Sequence, residues 1–215
     1  MKKLLAIVFA IALCLGALCF GASADYSGTP VKPTVGDGTA DDPYQIGSAE
    51  ELYWFAGLVN GTLTGVAKNN SAHAKLTADI TINENVLNAD GDLNGDGANL
   101  TKWTPIGSRS DPYTGTFDGD GHTISGLYVD ISSSSYVYAG LFGYISGGTV
   151  KNLSIADSYI SVSASGTNCA ANVGGVCGYN NGGTIENCSN SATVTVSATV
   201  DYILAYVGGV CGYNY

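Results

Sequence analysis

Four side chains able to do acid–base chemistry fall close together in the sequence: Asp118, Asp120, His122 and Asp130. Carboxylates of this kind hold calcium against acidic polysaccharides in β-helical enzymes, where a basic residue abstracts the proton. Arg109 and Lys151 are the chief candidates for that base here. The alternation Asp118-Gly119-Asp120-Gly121 is also what a tight turn prefers, and the turn is the simpler reading. A second oxygen-rich stretch, Asp90-Gly91-Asp92-Leu93-Asn94-Gly95-Asp96, satisfies the first half of a calcium loop, with ligand types at positions 1, 3 and 5 and glycine at 6. Position 12 is Thr101, where such a loop needs a bidentate glutamate, so an ordinary acidic loop is preferred.

The ends and the composition limit what these groups can serve. Lys2 and Lys3, an apolar run from Leu4 to Phe20 and the site Ala22-Ser23-Ala24 read as a cleaved export signal over residues 1–24. The formal charge of the whole sequence is -10, and the signal carries two of its eight basic residues and none of its 18 acidic ones. A field of that sign repels phosphates, and no basic stripe with interleaved aromatics occurs, so nucleic acid is not an expected partner. With 30 glycines and only 12% charged residues, the chain must turn often between short apolar runs, which points to an all-β architecture.

Residues 25–35 read as an extended leader. Ser48 and Glu51 form a capping box, and Leu52, Phe55, Ala56 and Val59 follow at helical spacing until Asn60-Gly61 stops them. Beyond this one short helix come β-like runs, KLTADITI, WTPIG and TGTFDG, with a polar loop over residues 88–101.

Internal repetition organises the rest. Thr123-Ile124-Ser125-Gly126-Leu127 resembles Thr149-Val150-Lys151-Asn152-Leu153 and Thr184-Ile185-Glu186-Asn187-Cys188, at spacings of 26 and 35. Gly140-Leu141-Phe142-Gly143-Tyr144 recurs as Gly175-Val176-Cys177-Gly178-Tyr179 and Gly209-Val210-Cys211-Gly212-Tyr213, at 35 and 34. A unit of this size cannot bury an apolar face alone and must stack on the next, strand on parallel strand about 4.8 Å apart. Stacking predicts one inward ladder of Leu127, Leu153 and Cys188 and another of Phe142, Cys177 and Cys211. It also predicts amide bonding along the stack by Asn152 and Asn187, and a stacked row of Tyr144, Tyr179 and Tyr213 that serves packing rather than a carbohydrate platform.

The four cysteines after the signal, Cys169, Cys177, Cys188 and Cys211, are even in number, which in an exported chain invites disulfides. Cys177 and Cys211 occupy equivalent positions one unit apart, at a separation that suits a bridge. Both replace Phe142, however, and Cys188 replaces Leu153, so buried free thiols are the preferred reading. No Cys-x-x-Cys pair exists and both histidines, His73 and His122, lie outside the cysteine-rich units, which speaks against zinc.

Gly140-Leu141-Phe142-Gly143 and its variant Gly175-Val176-Cys177-Gly178 resemble the GLUG motif. The lead-in GTFDGDGHTISGLYV and the helix-bearing DGTADDPYQIGSAEELYWFAGLVNG are similar to sequences that precede such arrays. The resemblance, over residues 36–215, implies a right-handed parallel β-helix in secreted or surface bacterial proteins, including adhesin-like proteins and regions flanking some immunoglobulin A peptidases. It carries over no catalytic residue, and the zinc-peptidase signature H-E-x-x-H is absent.

The expected organisation is a signal at 1–24, a leader at 25–35, a cap region with one helix at 36–112, and GLUG-type rungs at 113–215. The fold class is an all-β right-handed parallel β-helix with a short N-terminal capping helix. The expected role is a noncatalytic extracellular or cell-surface scaffold in adhesion or ligand display, with a spacer in a larger surface peptidase or glycosidase, or a polysaccharide-active enzyme, as alternatives. No catalytic, cofactor-binding or metal-ligating residue is assigned and no cofactor is expected. The partners expected are host or cell-surface glycans or proteins, without membrane insertion after signal cleavage. Because the third unit stops at Gly212-Tyr213-Asn214-Tyr215, an open strand edge that self-associates is also expected.

Overall fold

A computed structural model describes residues 28–166, 169–198 and 203–215. The export signal read at 1–24 lies outside them. The chain enters through β1 (Tyr44–Ile46) and α1 (Ala49–Asn60), then β2 (Ala74–Leu76) and β3 (Ile80–Thr81). Three rungs of like construction follow. The first holds β4 (Thr116–Asp118), β5 (Thr123–Ser125), β6 (Tyr128–Ser133), β7 (Val137–Ala139) and β8 (Phe142–Ser146). The second holds β9 (Thr149–Lys151), β10 (Ser154–Ala156), β11 (Tyr159–Ala164), β12 (Ala170–Gly174) and β13 (Cys177–Asn181). The third holds β14 (Thr184–Glu186), β15 (Ser189–Asn190), β16 (Thr193–Ala198), β17 (Leu204–Gly208) and β18 (Cys211–Asn214).

Strands pair with their counterparts one turn away and always in parallel, giving five sheets that run along the stack. The longest, β1-β2-β4-β9-β14, counts about five turns, so the molecule is a parallel β-solenoid. One helix is present among the described residues. Ser48 caps it by accepting from the Glu51 N–H at 3.3 Å, and Gly61, at φ 70°, ends it. The Glu51 carboxylate reaches one residue further back than a reciprocal box requires, to the N–H of Gly47 at 2.8 Å. Between β1 and β2, the helix takes the part of the circuit that strands occupy later. It inserts Phe55 among Tyr113 and Phe117, with ring centroids 6.1 and 5.8 Å away, and Phe142 closes the cluster at 5.0 Å from Tyr113.

Corners are made by residues with left-handed backbone. Gly147 and Gly182 stand at φ 68° and 64°, and Asn152 and Asn187 at 54° and 51°, each pair at the same corner of successive rungs. Glycine adopts this region without penalty and asparagine at little cost. Between corners, alternate side chains enter the core: Ile124 lies over Ile155, Val129 over Ile160 over Val194, and Phe142 over Cys177 over Cys211. Burying each large apolar side chain stabilises the stack by roughly 1.5–3 kcal/mol.

The register corrects one sequence alignment. Thr149 pairs with Thr116, not with Thr123, which pairs with Ser154. Leu153 and Cys188 do share a level, but Leu127 is level with Ser158, whose Oγ accepts its N–H. The two strings look alike because a strand, a left-handed corner (Gly126 or Asn152) and a buried leucine occur on two successive sides of one rung. WTPIG forms no strand either. Pro105 lacks an N–H and Gly107 turns at φ 76°, so the segment supports the first rung through isolated bridges, Lys102 to Tyr128 and Ile106 to Phe142. The stretch 88–101 is a loop, as its composition predicts. Among the described residues no helix is long and apolar enough to cross a membrane.

Candidate functional site

The folded chain does not gather the four acid–base residues into one site. Asp118 lies 3.4 Å from the Lys151 ammonium and accepts from the Asn152 amide at 2.9 Å, at the corner between β9 and β10. Asp120 pairs with Lys75 at 3.0 Å, Asp130 with Lys102 at 3.0 Å, and His122 with Asp79 at 3.2 Å. Asp118, Asp120 and Asp130 are each thus tied to a lysine from another turn, an arrangement that holds adjacent turns in register. Burial alone would raise the Asp118 carboxyl. The Asn152 amide, the Asp120 backbone N–H and Lys151 together outweigh burial and hold it below the usual carboxylate range.

Around Asp118 lies a surface pocket of about 230 Å³, lined also by His73, Lys75 and Lys151. Sequence reading did not find Lys75 or His73, because they come from β2 and the residue before it, one turn below. Arg109, the other candidate base, lies elsewhere, its guanidinium 5.7 Å from the ring centre of Tyr136.

The loop at Asp90 to Asp96 is closed by short-range hydrogen bonds. The Asn88 side chain accepts from the N–H of Asp90 at 2.9 Å and of Asp92 at 3.0 Å, and Asp96 accepts from Ala98 at 3.0 Å. These are turns of the kind Asn and Asp make with their own backbone. Among the described residues no three His, Cys, Asp or Glu side chains are grouped to hold a metal ion.

Cys169, Cys177, Cys188 and Cys211 are free thiols. The Cys177 and Cys211 sulfurs repeat one geometry, each donating to the carbonyl two residues on, Tyr179 and Tyr213, at 3.2 Å. Burial pushes the Cys177 thiol well above its usual range, so it stays protonated and unreactive.

The outward side of the same sheet carries the tyrosine row. Tyr144 and Tyr179 stack with centroids 4.7 Å apart and planes 13° apart, and Tyr179 and Tyr213 at 4.8 Å and 14°. These are the strand spacings of the stack itself. Tyr138 meets Tyr144 edge-on at 5.2 Å, and Tyr206 meets Tyr213 at 4.9 Å. Burial raises the Tyr138 phenol against the opposing pull of Arg109. Together with Ala170, Asn172, Tyr136, Leu204 and Arg109 these rings enclose a trough of about 270 Å³. Sequence repetition reveals the stacked row, but Tyr136, Tyr138 and Arg109 lie in variable segments and are brought to it by the coiling.

Comparison with known proteins gives four likenesses. Residues 170–195 match the family described as the GLUG motif. The chain is 35% identical over 164 residues to halomucin of Haloquadratum walsbyi, a match covering 74% of this chain and 2% of that one. It is 32% identical over 131 residues, 60% of its length, to a protein provisionally designated a Gly-rich membrane protein in Evansella cellulosilytica, of which 13% is covered. The chain therefore spans a small fraction of these relatives. A crystal structure described as that of a provisional immunoglobulin A1 protease from Bacteroides ovatus aligns over 84% of this chain and 64% of that one, at 19% identity and a TM-score of 0.39.

Proposed function

We propose that this GLUG-motif repeat protein is a noncatalytic extracellular or cell-surface scaffold that displays ligand-contacting side chains along a rigid solenoid. One observation carries the reading: repeated inward residues serve the core, Asp118, Asp120 and Asp130 are ion-paired between turns, and an aromatic trough crossing three rungs faces outward where a partner can reach it. The likeness to halomucin, and to a protein designated a membrane protein, supports a location outside the cytoplasm. So does the export signal read at residues 1–24.

The test is a binding screen of the folded, purified chain against glycans, mucin and matrix proteins, paired with protease accessibility on intact producing cells. Binding to one class together with surface accessibility is the expected result. A folded chain that binds none of them overturns ligand display.

A second reading, that the region spaces a larger surface enzyme, draws on the small share of the matched relatives that it covers. Peptidase or glycosidase activity in the protein as secreted by its own cells, with none in this chain alone, would favour it.

A further inference from the structure

In a stack of parallel rungs, equivalent positions carry equivalent side chains, because each must pack on the one below. The column Tyr144, Tyr179, Tyr213 follows this rule. On the neighbouring sheet, two outward columns break it in the same rung. Tyr138 pairs with Asn172, which pairs with Tyr206. Tyr136, just before β7, is level with Ala170, which pairs with Leu204. Both columns therefore read large, small, large. The result is a notch in the middle rung, floored by Ala170 and Asn172, with Tyr136 and Tyr138 on one side and Leu204 and Tyr206 on the other. The tyrosine row forms its end wall.

The volume, about 270 Å³, sits just below the range of roughly 300–1,000 Å³ that encloses drug-sized ligands. Its lining alternates phenol hydroxyls with aromatic and aliphatic surface, as a ligand with hydroxyls on one side and C–H groups on the other requires. Charge narrows the class further. No acidic side chain among the described residues lines the notch, and the charged side chain that does is Arg109. Among the described residues Lys68, Lys75, Lys102 and Lys151 each pair with an aspartate, whereas Arg109 is exposed and makes no ion pair. A guanidinium takes a carboxylate through two parallel hydrogen bonds. The anionic surface beyond the notch disfavours a polyanion.

We propose that this notch binds an acidic sugar residue on an otherwise neutral glycan, with the tyrosines against the sugar ring and Arg109 on its carboxylate. The proposal rests on the ligand-display reading and names its ligand class. The column rule explains why the site falls in one rung only: filling the middle position would restore a flush column and close it.

The experiment is a titration of the purified chain by NMR and calorimetry with sialyllactose, lactose and tetraglutamate. Sialyllactose is expected to bind at least tenfold more tightly than lactose, and tetraglutamate not to compete. Arg109→Gln, on an exposed residue, should bring sialyllactose down to the level of lactose. Asn172→Tyr, or Ala170→Leu if the first fails to fold by circular dichroism, should abolish binding of both sugars. Equal binding of sialyllactose and lactose, an unchanged Arg109→Gln variant, or competition by tetraglutamate each overturns the proposal. If the chain holds mucin but sialyllactose leaves the trough unmoved, the sugar site falls while ligand display stands. If it holds neither, both fall.

Discussion

Asn187 donates its side-chain amide to Oδ1 of Asn152, one rung below, at 3.2 Å, and Asn152 in turn donates to Asp118 at 2.9 Å. The two asparagines also hold the same left-handed corner, so each serves the backbone and the stack at once. Replacing Asn152 by alanine removes the amide bonds and places a Cβ in left-handed backbone, which should cost about 2–3 kcal/mol. Asn152→Gly keeps the corner and loses only the bonds, costing about 1 kcal/mol. Urea midpoints of the two variants measure the difference.

Phe142 is fully buried against Tyr113 and Phe117 and sits over Cys177. Phe142→Ala should lower stability by roughly 3–5 kcal/mol, the range for emptying an aromatic site in a core. Chemical denaturation followed by far-ultraviolet circular dichroism would read it; a loss under 1 kcal/mol would mean the rung collapses around the gap.

The pH dependence of stability should contain a contribution from Asp118. Its carboxyl titrates below the ordinary value when folded. The stabilisation is therefore complete above the unfolded value of about 3.9 and is lost as pH falls through the lower, folded value. Asp118→Asn should flatten the acid limb of the stability curve below about pH 4 without moving the curve's shape at neutral pH.

Cys177 should resist alkylation in the native chain and react once unfolded, since burial keeps its thiol protonated. Mass spectrometry after iodoacetamide treatment, with and without denaturant, decides it. Native labelling of Cys177 equal to the denatured level would place the thiol within reach of solvent.

Local signals proved the most legible in the sequence. Ser48, Glu51 and Gly61 mark both helix ends within a few residues, and the caps are made where they predict. The ladder Phe142, Cys177, Cys211 was legible because the same glycines frame all three. The alignment at spacing 26 misled because Gly126 and Asn152 are corners of different sides of the rung, and a short string cannot say which side it lies on. The notch was hidden for a related reason. Asn172 and Tyr206 occupy the variable place in a repeated A-x-V-G-G-V-C-G-Y-N string, but Tyr138 lies one residue out of step with that string, and only the strand register lines it up with them. Arg109 comes from still another turn, ahead of the regular rungs.

The register has a kinetic consequence. From β4 onward each strand's partner in the following rung lies between 31 and 35 residues away, as Ser154 does from Thr123 and Cys177 from Phe142. No rung closes a shorter loop than its neighbours, and loop-closure entropy changes little over so narrow a span. The barrier to folding then falls on the first two rungs to dock, after which each further coil adds to a finished template at nearly constant gain. The aromatic cluster of Phe55, Phe117 and Tyr113 already joins the helix to the first rung. Coiling that starts there would proceed in the direction in which the chain is synthesised.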